Sequence, residues 1–274
     1  MKIVCVVENE AIKESGLQSE HGLSLWIETP SGTVLYDTGQ TASVLLHNLK
    51  TLNFSLQAVS ALALSHAHYD HTGGLETVLE AQKGLPIFAN PDLFRRRYAL
   101  RNGEHQSIGL SINQSSVESL SEIKLSNQPI EILPDIWTTG EIIDRPEPTG
   151  SSPHLFIQTD KGWEADPYLD DMSLVCKTSK GLVLICGCCH AGILNTLFHV
   201  KHFFTDPIIA VVGGIHLIHA DDQYLDHVVA VIGQYFPEIY LHLNHCTGEK
   251  AFAKLAMAFG NKVNICPAGT ILEF

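Results

Sequence analysis

The chain has 274 residues and a formal net charge of −13, from 17 Lys and Arg against 30 Asp and Glu. Its 45% of hydrophobic and 17% of charged residues are typical of a globular protein and exclude disorder over most of the length. The acidic charge argues against a nucleic-acid partner, and no apolar run reaches the ~18–20 residues of a membrane span. We therefore expect a small-molecule substrate, with no nucleic acid and no membrane. The one basic cluster, Arg95-Arg96-Arg97, is interpreted as a solvated helix face.

Short apolar runs alternate with longer amphipathic runs, and this alternation predicts strands and helices in turn. In the first part we predict strands at 2–7, 24–29, 33–37, 59–64 and 86–89, with helices at 41–52, at 75–82 and after Pro91. In the last part we predict strands at 173–178, 182–186, 208–212, 239–243 and 263–266, with helices at 193–204, 224–236 and 248–259. Residues 101–130 and 145–171 lack a clear period and are predicted to be irregular excursions.

The strands form two blocks, each followed by strand–helix alternation, with no flexible linker between them. This pattern predicts a single domain over residues 1–274. The expected class is α+β, with two mixed sheets packed together and helices outside.

Seven cysteines give no disulfide framework, because their number is odd and most of them lie on apolar strands. The N-terminal apolar run meets Glu8 too early for a secretory segment. Both observations predict a cytoplasmic protein.

The segment Ser65–Gly74, with the sequence Ser-His-Ala-His-Tyr-Asp-His-Thr-Gly-Gly, follows the predicted strand at 59–64. His66 and His68 are two residues apart, so in extended chain their side chains project to the same side. Asp70 and His71 follow where the backbone turns. Three imidazoles and a carboxylate within six residues suit zinc, iron or manganese, and two ions about 3.5–4 Å apart are geometrically possible. We predict that these four side chains bind metal.

Other Asp and His residues also stand at the ends of predicted strands. Ligand sites of open α/β sheets gather outside the carboxyl ends of strands, so we expect these residues to share one pocket with the histidine motif. We expect His190 and His245 to be metal ligands, whereas a structural role and a functional role weigh equally for His216. The strand-end residues are Asp37, His190, His216 and His245.

The sequence resembles the metallo-β-lactamase superfamily, whose second motif is His-x-His-x-Asp-His after an apolar strand. Asp37 matches the first motif, His66, His68, Asp70 and His71 the second, and His245 the last. Four segments are similar to a narrower group, the dihydropterin ribofuranosyl-aminobenzene-phosphate synthase-like proteins of methanopterin-type cofactor synthesis. These segments are Asp37-Thr38-Gly39-Gln40, Thr139-Gly140-Glu141-Ile142, Gly187-Cys188-Cys189-His190-Ala191-Gly192 and His245-Cys246-Thr247-Gly248.

The resemblance implies a four-layer αββα metallo-β-lactamase-type sandwich with the metal site at one edge between its sheets. It implies His66, His68 and His190 around one ion, and Asp70, His71 and His245 around the other. Asp37 would orient a ligand histidine. The implied cofactor is one or two divalent ions, with zinc the first choice and manganese, iron or magnesium as alternatives.

The sequence departs from the superfamily pattern where a lone histidine is usually followed by a bridging acid at the end of a later strand. Here the strand end at 182–186 leads into Gly-Cys-Cys-His. Either His190 takes the role of the lone histidine, or Asp171 and His190 divide the two roles. The bridging ligand is therefore left open between them.

The leading function is a metal-dependent hydrolase or transferase acting on a small ester, lactone, phosphate or diphosphate substrate. Metal-bound water would attack the substrate, or, as the narrower group implies, the metal would hold a diphosphate leaving group that a carbon nucleophile displaces. Asp70 is the expected proton shuttle, and His216 could hydrogen-bond the substrate. The alternatives are a non-haem diiron oxidoreductase and a catalytically silent ligand-binding protein.

Overall fold

The computed structural model describes residues 1–150 and 152–274. The strands in chain order are β1 (Lys2–Val7), β2 (Ser24–Thr29), β3 (Gly32–Tyr36), β4 (Ala61–Ala63), β5 (Leu85–Ala89), β6 (Arg97–Arg101), β7 (Glu104–Ser107), β8 (Ser121–Leu125), β9 (Glu131–Leu133), β10 (Ile136–Thr138), β11 (Leu155–Thr159), β12 (Gly162–Ala165), β13 (Leu174–Thr178), β14 (Gly181–Cys186), β15 (Ile208–Gly213), β16 (Tyr240–Leu243), β17 (Val263–Ile265) and β18 (Ile271–Glu273). The helices are α1 (Ala42–Thr51), α2 (Tyr69–Thr72), α3 (Leu75–Ala81), α4 (Gln114–Leu120), α5 (Ile193–Phe203), α6 (Asp222–Tyr235) and α7 (Glu249–Phe259). Short 3₁₀ turns cover Leu56–Ala58, Pro91–Phe94 and Gly260–Lys262.

The chain divides into two compact units. The first comprises Met1–Asn127, Ser152–Asp170 and Pro267–Phe274, and the second comprises Gln128–Ser151 and Asp171–Cys266. The prediction of one domain over residues 1–274 stays a prediction.

The first unit contains a seven-stranded mixed sheet in the order β18-β1-β2-β3-β4-β5-β8. Strands β3, β4, β5 and β8 run parallel, so their carboxyl ends meet at one edge. Helices α1 and α3 cover the sheet, burying Leu45, Leu49, Leu75 and Val78 against Leu35 and other strand residues. The Thr41 hydroxyl accepts a hydrogen bond from the Val44 amide and so defines where α1 begins.

A second, four-stranded antiparallel sheet in the first unit has the order β12-β11-β6-β7. It joins chain segments that are about 60 residues apart, because β11 pairs with β6 through Leu155–Ala99 and Ile157–Arg97.

The second unit contains the other seven-stranded mixed sheet, in the order β17-β16-β15-β14-β13-β10-β9. Strands β14 to β17 are parallel and are connected by α5, α6 and α7, as expected for successive strand–helix–strand crossovers. The core of this unit combines Leu184 and Val211 of the sheet with Leu197, Val228 and Leu255 of the helices. The carboxyl ends of β14, β15 and β16 therefore lie side by side.

The α+β class with two mixed sheets and helices is confirmed, but several local predictions were wrong. Residues 101–130 contain β7, α4 and β8, and residues 145–171 contain the β11–β12 hairpin. Strands β7 and β8 are exposed or half-buried throughout and rich in polar residues, so the sequence carries only a weak strand signal there. The predicted helix after Pro91 is only a 3₁₀ turn. No helix in the described ranges is long and apolar enough to cross a membrane.

Candidate metal centre

Three histidines meet in the segment between β4 and the end of α2. The side chains of His66, His68 and His71 are buried. His66 Nε2 lies 3.0 Å from His68 Nδ1, and the ring centroids of His66 and His71 are 4.3 Å apart. The first unit therefore gathers the three predicted imidazoles at the carboxyl end of β4.

Asp37 lies at the end of β3 and contacts this histidine group directly. Its Oδ2 accepts hydrogen bonds from His71 Nδ1 at 2.7 Å and from Ser65 Oγ at 2.7 Å, and its Oδ1 accepts one from the Ser65 amide at 2.7 Å. Ser65 Oγ also lies 2.8 Å from His66 Nδ1. These contacts engage the Nδ1 atoms of two rings, which leaves Nε2 as the atom available to a metal. Sequence reasoning assigned no role to Ser65, although it is the first residue of the motif.

Asp70 is buried in the first turn of α2, and its Oδ2 faces two imidazoles of the same unit. It lies 3.7 Å from His71 Nε2 and 3.2 Å from His21 Nε2. His21 is more than half exposed and had received no functional role from the sequence, where it falls in a segment without periodicity. A carboxylate between a buried and an exposed histidine is chemically suited to bind metal or to hold a proton.

The basic cluster at 95–97 is not a solvated helix face, because Arg97 lies on β6 with its side chain completely buried. Its guanidinium forms ion pairs with Asp92 at 3.0 Å, Asp166 at 3.0 Å and Asp170 at 2.6 Å. The second oxygen of Asp170 accepts a hydrogen bond of 2.7 Å from the amide of Ala67, between the two leading motif histidines. A buried ion-pair network thus connects the four-stranded sheet to the backbone of the histidine segment.

Burial and the neighbouring charges have opposite effects on the pKa values of the residues in this network. Burial raises the pKa of Asp166, although Arg97 and the Tyr168 amide act in the opposite direction. Burial alone would lower the pKa of Arg97, but Asp170, Asp166 and Asp92 together raise it above its ordinary value. The arginine therefore remains charged, and its fork geometry suits it to pair with several carboxylates at once.

In the second unit, His190, His216 and His245 follow the neighbouring parallel strands β14, β15 and β16. The ring centroids of His190 and His216 are 4.2 Å apart. His216 and His245 adopt positive φ angles of 42° and 52°, a conformation that is uncommon for residues other than glycine. His190 Nδ1 lies 3.2 Å from the Gly150 carbonyl oxygen.

Asp171 lies against the backbone of the loop that carries His190. Its Oδ2 accepts a hydrogen bond of 2.8 Å from the amide of Ala191. Burial raises its pKa above the ordinary value, despite the opposing effect of the backbone hydrogen bonds from Ala191 and His190. In the described residues of this unit, Asp171 is absent from the groups of converging donor atoms, whereas His190 belongs to one of them.

Two cysteines to which sequence reasoning assigned no role, Cys188 and Cys246, also lie among these strand-end histidines. One donor atom each from Cys188, His190 and His216 lie within 4.8 Å of one another, and so do those from Cys188, His245 and Cys246. Burial raises the pKa of the Cys246 thiol, but a hydrogen bond with Cys188 and the nearby His216 and His245 together lower it well below its ordinary value. The sequence did contain a signal that these cysteines could be ligands, because each lies within two residues of a predicted ligand histidine.

The residues present fit a divalent transition metal. The first unit offers imidazole nitrogens from His66, His68 and His71 and a carboxylate from Asp70, and the second offers imidazoles and thiols. Imidazole, thiolate and carboxylate donors suit zinc or iron better than an all-oxygen set, which would favour magnesium.

Comparisons with known proteins agree with the fold and the motif. The model of the metallo-beta-lactamase superfamily matches residues 20–146. The chain is 32% identical, over 100% of its length and 97% of the relative, to the 7,8-dihydropterin-6-methyl-4-(beta-D-ribofuranosyl)-aminobenzene-5'-phosphate synthase of Methanocaldococcus jannaschii. A second relative from the same organism, an uncharacterized protein, is 31% identical and covers 93% of each chain.

Among solved structures, a metal-dependent hydrolase of the beta-lactamase superfamily superimposes with a TM-score of 0.85 at 26% identity, covering 100% of this chain and 99% of that one. A metallo-beta-lactamase fold protein from Bacillus subtilis superimposes with a TM-score of 0.61 at 14% identity, over 99% of each chain. These matches confirm the fold class predicted from the pattern of strands and helices and from the family resemblance.

Proposed function

Because the chain belongs to the metallo-beta-lactamase superfamily, we propose that it is a metal-dependent transferase that joins a dihydropterin-methyl group to a phosphorylated ribofuranosyl-aminobenzene. The observation that carries this proposal is the 32% identity, over essentially both full lengths, to a synthase named for that product. The substrate class would then be a pterin whose methylene carbon carries a diphosphate leaving group, with the amino group of the aminobenzene as the nucleophile. The new N–C bond forms as the C–O bond to diphosphate breaks, and the amine nitrogen gives up one proton.

The proposed metal ligands are His66, His68, Asp70 and His71 of the first unit, together with His190 and His245 of the second. Divalent ions bound at these residues would supply Lewis acidity to a phosphate or diphosphate oxygen. Zinc is the proposed ion, one or two per chain, because imidazole ligands predominate.

The protein's own groups would orient the ligands and move the proton. Asp37 and Ser65 hold Nδ1 of His71 and His66, so that both rings present Nε2. Asp70 Oδ2 is the proposed proton acceptor, and the exposed His21, 3.2 Å away, would pass the proton to solvent. His216, which is partly exposed, is the proposed substrate contact, and Asp171 supports the loop that carries His190.

The proposed compartment is the cytoplasm. All seven cysteines are free thiols and buried, which agrees with a reducing environment.

The test supplies metal-loaded full-length protein with a dihydropterin-methyl diphosphate and a phosphorylated ribofuranosyl-aminobenzene. We expect the joined product by mass spectrometry together with release of diphosphate. His68→Ala should abolish both, whereas His202→Ala, an exposed histidine on α5, should leave both unchanged. Wild-type turnover by His68→Ala would refute the assignment of the site.

A second candidate is a hydrolase of a small ester, lactone or phosphate substrate. It is favoured by the structure described as a metal-dependent hydrolase, which covers this chain completely at 26% identity. Turnover on a panel of such substrates, with no joined product from the pterin pair, would select this function.

A further inference from the structure

Two cysteines of the second unit lie among residues that sequence reasoning assigned to the metal site, and they bring a different donor chemistry. Cys188 and Cys246 are 3% and 6% exposed, and His245, the third member of this cluster, is 8% exposed. One donor atom from each of the three lies within 4.8 Å of the other two. In a tetrahedral site with metal–ligand distances of about 2.0–2.3 Å, neighbouring donors are separated by roughly 3.5–4 Å, so this spacing is compatible with one shared ion.

Backbone groups around Cys246 fix the position of its sulfur atom. The amide of His216 donates to Cys246 Sγ at 3.3 Å, and Sγ lies 3.5 Å from the carbonyl oxygen of Cys188. A Cβ atom at Gly214 would lie 2.7 Å from the same sulfur, so a side chain at this position would displace it. His245 has a φ of 52°, so the backbone turns through the left-handed region immediately before the cysteine.

We propose that Cys188, Cys246 and His245 form a sulfur-containing site that selects a thiophilic divalent ion, of the zinc class, over magnesium or manganese. The inference rests on the proposed metal role of His245 and specifies which class of ion that residue serves. Soft thiolate donors favour zinc and cadmium, whereas magnesium and manganese prefer oxygen ligands. Each thiol that coordinates the ion releases one proton to solvent, and the sulfur lone pair forms the bond to the metal.

The first test uses the full-length wild-type protein and so does not depend on any variant folding. The metal-free protein is loaded with two equivalents of zinc, so that the histidine site and the sulfur site are both supplied, and its X-ray absorption spectrum is recorded. We expect sulfur scatterers at about 2.3 Å from zinc in addition to nitrogen or oxygen at about 2.0 Å. A first shell of nitrogen and oxygen alone would overturn the inference.

The second test identifies the sulfur atoms with cobalt alone as the probe. Wild-type protein and Cys176→Ala, which removes a buried cysteine of β13 in the same unit, should both show a sulfur-to-metal charge-transfer band. Cys188→Ala and Cys246→Ala should each weaken the band, the double variant should lose it, and zinc affinity should fall at least about 10–100-fold. An unchanged band in the double variant would refute the assignment.

The two proposals fail in different ways. His68→Ala should lose turnover but keep the charge-transfer band, because this substitution leaves both cysteine sulfurs in place. A wild-type protein that shows the band but makes no joined product would refute the proposed transferase function and leave the sulfur site intact. Circular dichroism of each metal-free variant identifies any that has lost its fold.

Discussion

Asp37 controls which nitrogen of His71 is available to a metal. The carboxylate accepts a hydrogen bond from His71 Nδ1–H at 2.7 Å, so the lone pair of the neutral ring is on Nε2. In Asp37→Asn, the oxygen can still accept from the Ser65 amide, but the amide nitrogen then faces His71 Nδ1 and favours the opposite tautomer. We expect metal affinity to fall about 10–100-fold with the fold retained.

This prediction is checked by competition with a chromogenic chelator. Ser24→Ala is the matched control, because the Ser24 hydroxyl donates to the backbone carbonyl of Asp37 and touches none of the imidazoles. If both variants lose affinity equally, the loss comes from local loosening rather than from tautomer selection.

Asp170 carries a second prediction at the level of single residues. It bridges the buried Arg97 and the Ala67 amide, so Asp170→Asn keeps an acceptor for the amide but removes one negative charge from the guanidinium. Breaking a buried ion pair by removing one partner costs about 3–5 kcal/mol of stability. Two other carboxylates still pair with Arg97, so we expect a loss of about 3 kcal/mol.

Urea denaturation measures that loss, and a metal titration of the same sample measures its effect on the histidine segment. Arg97→Lys should also destabilise, since a lysine cannot reach three carboxylates with a planar fork. The control Arg96→Lys changes an exposed neighbour and should alter neither quantity. A stability of Asp170→Asn equal to that of the wild type would contradict the role given to the network.

At the scale of elements, sequence predicted best where a buried strand is followed by an amphipathic helix. Strand β14, helix α5 and strand β15 matched their predicted bounds to within one residue, because every side chain of β14 is buried and the apolar run marks it clearly. The strand-end histidines were found for the same reason, since their positions follow from the ends of such strands.

Short elements in polar segments without a continuous apolar run were missed. Strand β8 alternates half-buried and exposed side chains in a Ser- and Glu-containing segment, and α4 is a two-turn helix capped by Asn113. The burial of Arg97 was missed for a different reason: its partners Asp166 and Asp170 lie about 70 residues further along the chain, and one sequence carries no signal for such a pairing.

Two elements of the second unit carry neutral, half-buried histidines that should make stability sensitive to acid. Burial lowers the pKa of His199 on α5 and of His242 on β16 below the ordinary value of 6.5. Below about pH 6.5 the unfolded chain therefore binds protons that the native state does not, and stability is lost as the pH falls toward the lowered native values. Each histidine contributes at most about 1.4 kcal/mol per pH unit to this slope.

The double variant His199→Gln, His242→Gln should flatten the decline of unfolding free energy between about pH 6.5 and pH 5. Urea denaturation at a series of pH values measures the free energy of unfolding, and His154→Gln, which changes an exposed histidine, is the control. An equally steep decline in the double variant would show that other groups are responsible.

For the whole molecule, the formal charge of −13 omits any bound ion. Part of that charge is compensated internally, because the buried Asp166 and Asp170 and the partly exposed Asp92 face Arg97, and part would face the proposed metal at Asp70. The imidazoles of His66, His68 and His71 are buried and close together, so a metal that binds them would stabilise the native state relative to the unfolded chain.

Zinc should therefore raise the thermal stability of the whole chain by mass action. At a free concentration of about 100 times Kd, an ion that binds only the native state stabilises it by about 2.7 kcal/mol. For a chain of this size the melting midpoint should rise by about 5 °C or more. Differential scanning calorimetry of the full-length protein measures the shift, and a chelator should reverse it. Asp37→Asn should reach the same shift only at about 10–100 times more zinc. A midpoint that is independent of zinc in the wild type would contradict a native metal site, whichever unit provides the ligands.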